Sequence, residues 1–201
     1  MFMKHLLRKA QPTPVPGMPL DDADRATTPA AAVHRAVVEM PIKLSDDALA
    51  EEFSQPLRTT LLERGLGDVV GHKVKPGRED EPKGVEIRLV LVSKHPNILR
   101  TVGAMLDGMA APVGSTITFV DSEQRHLFGR TEGVAVDIDK RQDWQGLAAD
   151  LSDALGPLGD YRGARERGPL RSLYFYGESF AAMQAKMAAT SPMAARARRL
   201  T

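Results

Sequence analysis

The chain has no cysteine. That excludes disulfide staples, thiol nucleophiles and thiolate metal sites, and it fits a reducing compartment. Aromatic residues are scarce, at 5% of the chain with a single tryptophan. RNA-binding sheets need exposed aromatics on their central strands, so this scarcity argues against that class. Charge of one sign is lacking as well. Lys plus Arg is 27 and Asp plus Glu is 26, a net charge of +1. Nothing in that balance draws the chain to nucleic acid in general.

Long apolar runs are also missing. The chain opens Met1-Phe2-Met3-Lys4-His5-Leu6-Leu7-Arg8-Lys9, where charges break the apolar residues into short pieces. A secretory signal needs roughly seven to fifteen apolar residues together, and a membrane span about twenty. The sequence therefore predicts a soluble, cytoplasmic protein with no membrane partner.

Motifs for chemistry are missing too. The histidines His5, His34, His72, His95 and His126 form no H-E-x-x-H or H-x-H pattern. His72 has Glu79 and Asp80 in the loop that follows, but a surface histidine on a short strand is the plain reading. Gly65-Leu66-Gly67 lacks the lysine of a phosphate loop, and it lies between a helix and a strand instead of the reverse. It reads as a helix stop and a tight turn. No G-x-S-x-G elbow is present. No cofactor and no metal are expected.

What the chain does have is a repeat. Leu66-Gly67-Asp68-Val69-Val70-Gly71 recurs as Leu158-Gly159-Asp160-Tyr161-Arg162-Gly163. Each copy follows an amphipathic helical pattern and precedes a β-rich run. Shared letters in shared context point to a duplicated unit. At 42% hydrophobic residues, the chain has material for a core.

Residues 1–35 carry Pro12, Pro14, Pro16, Pro19 and Pro29 in an Ala- and Thr-rich setting, the composition of a flexible arm. Its first ten residues have a basic amphipathic pattern too short to hold a helix alone. The first unit, 36–121, begins with alternating Val38, Met40, Ile42 and Leu44. Ser45 then caps a helix carrying Leu49, Phe53, Leu57 and Leu61, which Pro56 must kink or restart. A short strand to Val74, a charged loop, and the strand Val85–Val92 follow. A helix from Ile98 to Met109 and a strand 115–120 complete it. The second unit, 130–201, repeats the order: strand 134–138, helix 144–155, strands 160–165 and 171–176, helix 180–188, and a last strand over 194–200.

The expectation is an α+β fold of two tandem ferredoxin-like (βαββαβ) units, each with an antiparallel sheet carrying helices on one face only. The uncovered faces pack face to face, or the sheets join edge to edge; sequence leaves both open. The candidate binding residues lie on strand faces opposite the apolar side: Glu86 and Arg88, Asp137 and Asp139, Tyr174 and Tyr176. Tyrosine and arginine are the residue types that anchor interfaces. The plain alternative is a solvated outer face.

Three pieces, Leu66-Gly67-Asp68-Val69-Val70-Gly71, Ala111-Pro112-Val113-Gly114-Ser115 and Leu173-Tyr174-Phe175-Tyr176-Gly177, resemble a group of uncharacterised bacterial proteins. Some members of that group resemble immunity proteins, which neutralise secreted toxins. The resemblance spans roughly 37–200 and rests on turn and strand pieces, so it implies fold more than activity and brings no catalytic residues. The chain departs from it after Gly71, where His72-Lys73-Val74 stands in place of a glycine-rich stretch. The leading expectation is a non-enzymatic protein that binds another protein, of immunity or inhibitor type. The alternative is a small-ligand regulator or an enzyme using polar residues on the sheet faces. Sequence leaves the oligomeric state open.

Overall fold

The computed structural model describes residues 33–77 and 81–200. The expected arm, with His5, falls outside them except at its last residues, as do Glu79 and Asp80. Both sheets lie within one unit, Ala31–Thr201.

Strand β1 (His34–Met40) buries Ala36, Val38 and Met40 on one face, as its alternation requires. The Ser45 hydroxyl accepts the Ala48 N–H at 3.2 Å and caps α1 (Asp46–Leu49). Asp46 and Asp47 complement the positive end of that helix. The chain passes through a π-helical turn, Ala50–Ser54, into α2 (Gln55–Glu63). Pro56 thus stands where a new α-helical segment begins, the restart that the sequence allows. The ladder slips by one residue ahead of it, and the proline sits in the first turn of α2, where its missing N–H matters least. Gly65 ends the run with φ +61°.

Strands β2 (Gly67–Lys75) and β3 (Gly84–Leu91) form a hairpin. Helix α3 (Pro96–Gly108) follows, with the His95 ring nitrogen Nδ1 accepting the Asn97 N–H at 3.2 Å. Next come β4 (Ser115–Phe119) and a strand the sequence does not announce, β5 (Arg125–Phe128). Four residues are too few to show a period. The second sheet is built from β6 (Glu132–Asp139), α4 (Trp144–Leu155), β7 (Gly159–Arg167), β8 (Leu170–Gly177), α5 (Phe180–Thr190) and β9 (Arg198–Leu200).

The expected last strand over 194–200 is corrected. Its first three residues belong to a 3₁₀ turn, Pro192–Arg196, and only Arg198–Leu200 pair as a strand. Ala194 and Ala197, three residues apart, are both buried, and that spacing belongs to a 3₁₀ turn, not to a pleat.

The sheet orders are β2-β3-β1-β4-β5 and β7-β8-β6-β9. The first four strands of one sheet and all four of the other share the ferredoxin-like order. The duplication extends to the register. Gly67 pairs with Leu91 and Gly159 with Gly177, each at the end of the central hairpin strand. A bulge follows in both copies, between Val69 and Gly71 and between Tyr161 and Gly163. The repeated hexapeptide is therefore the code for a bulged outer strand. Ile87, Leu89 and Leu91, with Val136, Ile138, Leu173 and Phe175, are buried under the helices as their spacing predicts.

Candidate functional site

The two helix-free faces have different fates. That of the second sheet is covered by the first unit. Tyr174 is 1% exposed, Tyr176 is 2% exposed, and Ala135 and Ser172 are buried beside them. The Lys43 backbone N–H donates to the Tyr176 hydroxyl at 2.8 Å. The Tyr174 hydroxyl donates to Glu81 at 3.2 Å. Arg162 of β7 pairs with Glu52 of the π-helical turn. The two tyrosines thus sit inside the chain, with their hydroxyls bonded across the seam.

An ionic network closes that seam. Arg198 of β9 donates from Nε to Asp137 at 2.9 Å and from Nη2 to Glu81 at 2.5 Å. The Ser172 hydroxyl also donates to Asp137, and Arg167 lies 3.8 Å from Glu81. Lys43 donates from Nζ to the Pro82 carbonyl. Burial works against the Glu81 carboxylate, but hydrogen bonding and charge from Arg198, with Lys43, outweigh it and hold Glu81 below the ordinary carboxylate range. Burial pushes the Tyr176 phenol up, and burial with the Glu81 charge pushes Tyr174 up to about 12. Burial lowers Lys43. These groups satisfy one another, so the network reads as a clasp between two units.

Among the described residues, no element covers the helix-free face of the first sheet. That face has two halves. Toward the seam, Lys73 and Lys75 pair with Glu86, and Lys75 also pairs with Glu39. There the two lysines are matched by two acids. At the far half, Arg35, Val37, Val70, Arg88, Val90 and Val120 line a concavity of about 420 Å³. Val70 is 55% exposed and Val120 62%. Branched aliphatic side chains this exposed, gathered on one face, are the usual mark of a contact surface.

The six sequence-chosen residues therefore divide. Glu86 and Arg88 lie on the open face of the first sheet. Asp137, Tyr174 and Tyr176 lie in the covered seam. Asp139 belongs to neither: it is exposed, and its carboxylate accepts the Arg141 N–H at 2.9 Å in a turn. Sequence reasoning missed Arg35, Lys43 and Glu81. Glu81 stands in a loop with no period to fix its direction. Arg35 falls inside the stretch read as arm, although its alternation with Val37 was a usable signal.

Among the described residues, no helix is long and apolar enough to cross a membrane. No protein-family model and no curated protein matches the chain. Two solved structures are similar over most of it. One is the complex of TiaS with an isoleucine tRNA, AMPCPP and agmatine, at 13% identity and a TM-score of 0.31, covering 83% of this chain and 58% of that one. The other is the ligand-free regulatory subunit of aspartate kinase from Thermus thermophilus, at 13% identity and a TM-score of 0.27, covering 79% and 95%. The chain thus spans less than two thirds of the length of the TiaS chain. At these scores the likenesses carry no functional argument.

Proposed function

We propose that the chain is a non-enzymatic binding protein that recognises another protein through the open face of its first sheet. The observation that carries this reading is the asymmetry of the duplication. One helix-free face is covered within the chain, while among the described residues no element covers its counterpart, which carries exposed valines and arginines. A monomeric sheet normally covers such a face or makes it polar. An inhibitor or immunity role, in which this face caps a second protein, is the form that the sequence resemblance implies. The small-ligand alternative has less support, because the polar residues of the second sheet are bonded to one another across the seam.

The test uses the full chain as bait in native extract, wild type against Val90→Asp. The expected result is a partner held by the wild type and released by the variant, with the thermal melt unchanged. A partner retained equally by both would overturn the reading.

A further inference from the structure

The far half of the open face has a charge pattern that specifies what lies on it. Arg35 of β1 stands opposite Val90 of β3, and Arg88 stands opposite Val37. The two arginines are therefore diagonal neighbours on one sheet face, with Cα atoms about 7–8 Å apart in such a geometry. Both line the same concavity, and both are exposed. Among the described residues neither side chain has a hydrogen bond or an ion pair. Lys73 and Lys75, on the other half, are neutralised by acids. Like charges placed this way repel one another unless an anion sits between them.

Gly71 adds a second observation. The Arg88 guanidinium lies over it so closely that a Cβ at position 71 would meet Nη2 at 2.6 Å. At the duplicate position, Gly163, no atom lies within 4 Å of the equivalent point. The glycine of the first copy thus leaves room for the Arg88 side chain to lie along the sheet over β2, held low against the face while still exposed. Around the two cations the surface is valine: Val37, Val70, Val90 and Val120.

Resting on the recognition reading above, we infer that the partner presents an extended acidic–apolar segment to this face. Carboxylates of that segment pair with Arg35 and with Arg88, and its apolar neighbours lie on the valines. Guanidinium forks suit carboxylates because two parallel N–H donors meet two oxygens. The valines supply contact area that is not selective by itself.

The probes are three blocked peptides of alternating valine with glutamate, glutamine or lysine. Each is titrated into the isotopically labelled full chain at low salt and followed by amide shifts. The glutamate peptide is expected to bind at least about ten-fold more tightly than the glutamine peptide, the step that one well-placed charge-assisted pair supports. The lysine peptide is expected not to bind. Shifts should centre on Arg35, Val37, Arg88 and Val90 and weaken as salt rises. Arg35→Ala with Arg88→Ala should erase the glutamate preference while the melt stays unchanged. Equal affinity for the three peptides, binding by none at millimolar concentration, or shifts centred elsewhere would each overturn the inference. If the charge preference is absent while Val90→Asp still releases the native partner, this inference falls and the recognition reading stands.

Discussion

Arg88 and Tyr174 occupy the same register position in the two duplicated sheets, each paired with the second glycine of the repeated hexapeptide, Gly71 or Gly163. The Arg88 side chain is exposed and free of partners among the described residues; that of Tyr174 is 1% exposed and bonded to Glu81. The same backbone position has become surface in one copy and seam in the other. Tyr174→Ala should therefore destabilise the chain by about 3–5 kcal/mol, the range for deleting a large buried ring. Arg88→Ala should stay within about 0.5 kcal/mol, as an exposed substitution does. Urea denaturation of both variants checks the contrast, and similar losses would refute it.

The clasp should show coupling. Glu81→Gln and Arg198→Met each remove one ion pair of the network, while Arg198 keeps Asp137 and Glu81 keeps Arg167. A double-mutant cycle on the pair should return a coupling of about 1–3 kcal/mol, the range for groups in one hydrogen-bonded network. Additive losses would mean that Arg198 is held by Asp137 alone.

Alkaline stability follows from the tyrosines. Tyr174 rises from 10.0 to about 12, first through burial and then through the Glu81 charge. A phenol raised in the folded state contributes stability that is whole below about pH 10 and is lost as pH climbs through about 12. Tyrosinate absorbance in the folded chain should lag the free-tyrosine curve across that window, and unfolding should set in within it. A curve matching free tyrosine at pH 10 would contradict the buried seam. On the acid side, Glu81 is held below its ordinary 4.5. Its contribution is present above that value and is lost as pH falls from there through the lowered one.

Two glycines of the repeated motif, the first of one copy and the second of the other, should differ in tolerance. A Cβ on Gly67 (φ +150°) would run into the Val90 carbonyl oxygen, a backbone atom that cannot swing aside. Gly163 has φ +123° but open space around its Cβ position. Gly163→Ala should cost about 1–3 kcal/mol of backbone strain. Gly67→Ala should cost more and move the hairpin. Melting temperatures of the two variants decide the order, and an equal shift would show that the β3 backbone yields.

Much of the fold was legible because period-2 and period-3.6 patterns are strong in this chain. Ile87, Leu89 and Leu91 alternate cleanly, and Leu49, Phe53, Leu57 and Leu61 recur at helical spacing. Legibility fails where local pattern is short or where a distant contact decides. Arg125–Phe128 is too brief to declare itself a strand. The candidate site shows the same limit. Alternation puts Tyr174 on the helix-free face, but only the approach of Glu81, far off in sequence, tells buried seam from open surface. Glu86 and Arg88 obey the same alternation and stay outside.

The bulged outer strands carry one last consequence. A sheet that ends in a straight, unpaired strand invites another chain to add itself, and repeated addition leads to fibres. Here β2 and β7 are each interrupted by a bulge, while β5 and β9 at the opposite ends are four and three residues long. None of the four borders offers a long, even row of amides and carbonyls. The hexapeptide that betrays the duplication also breaks the even edge on which strand addition depends.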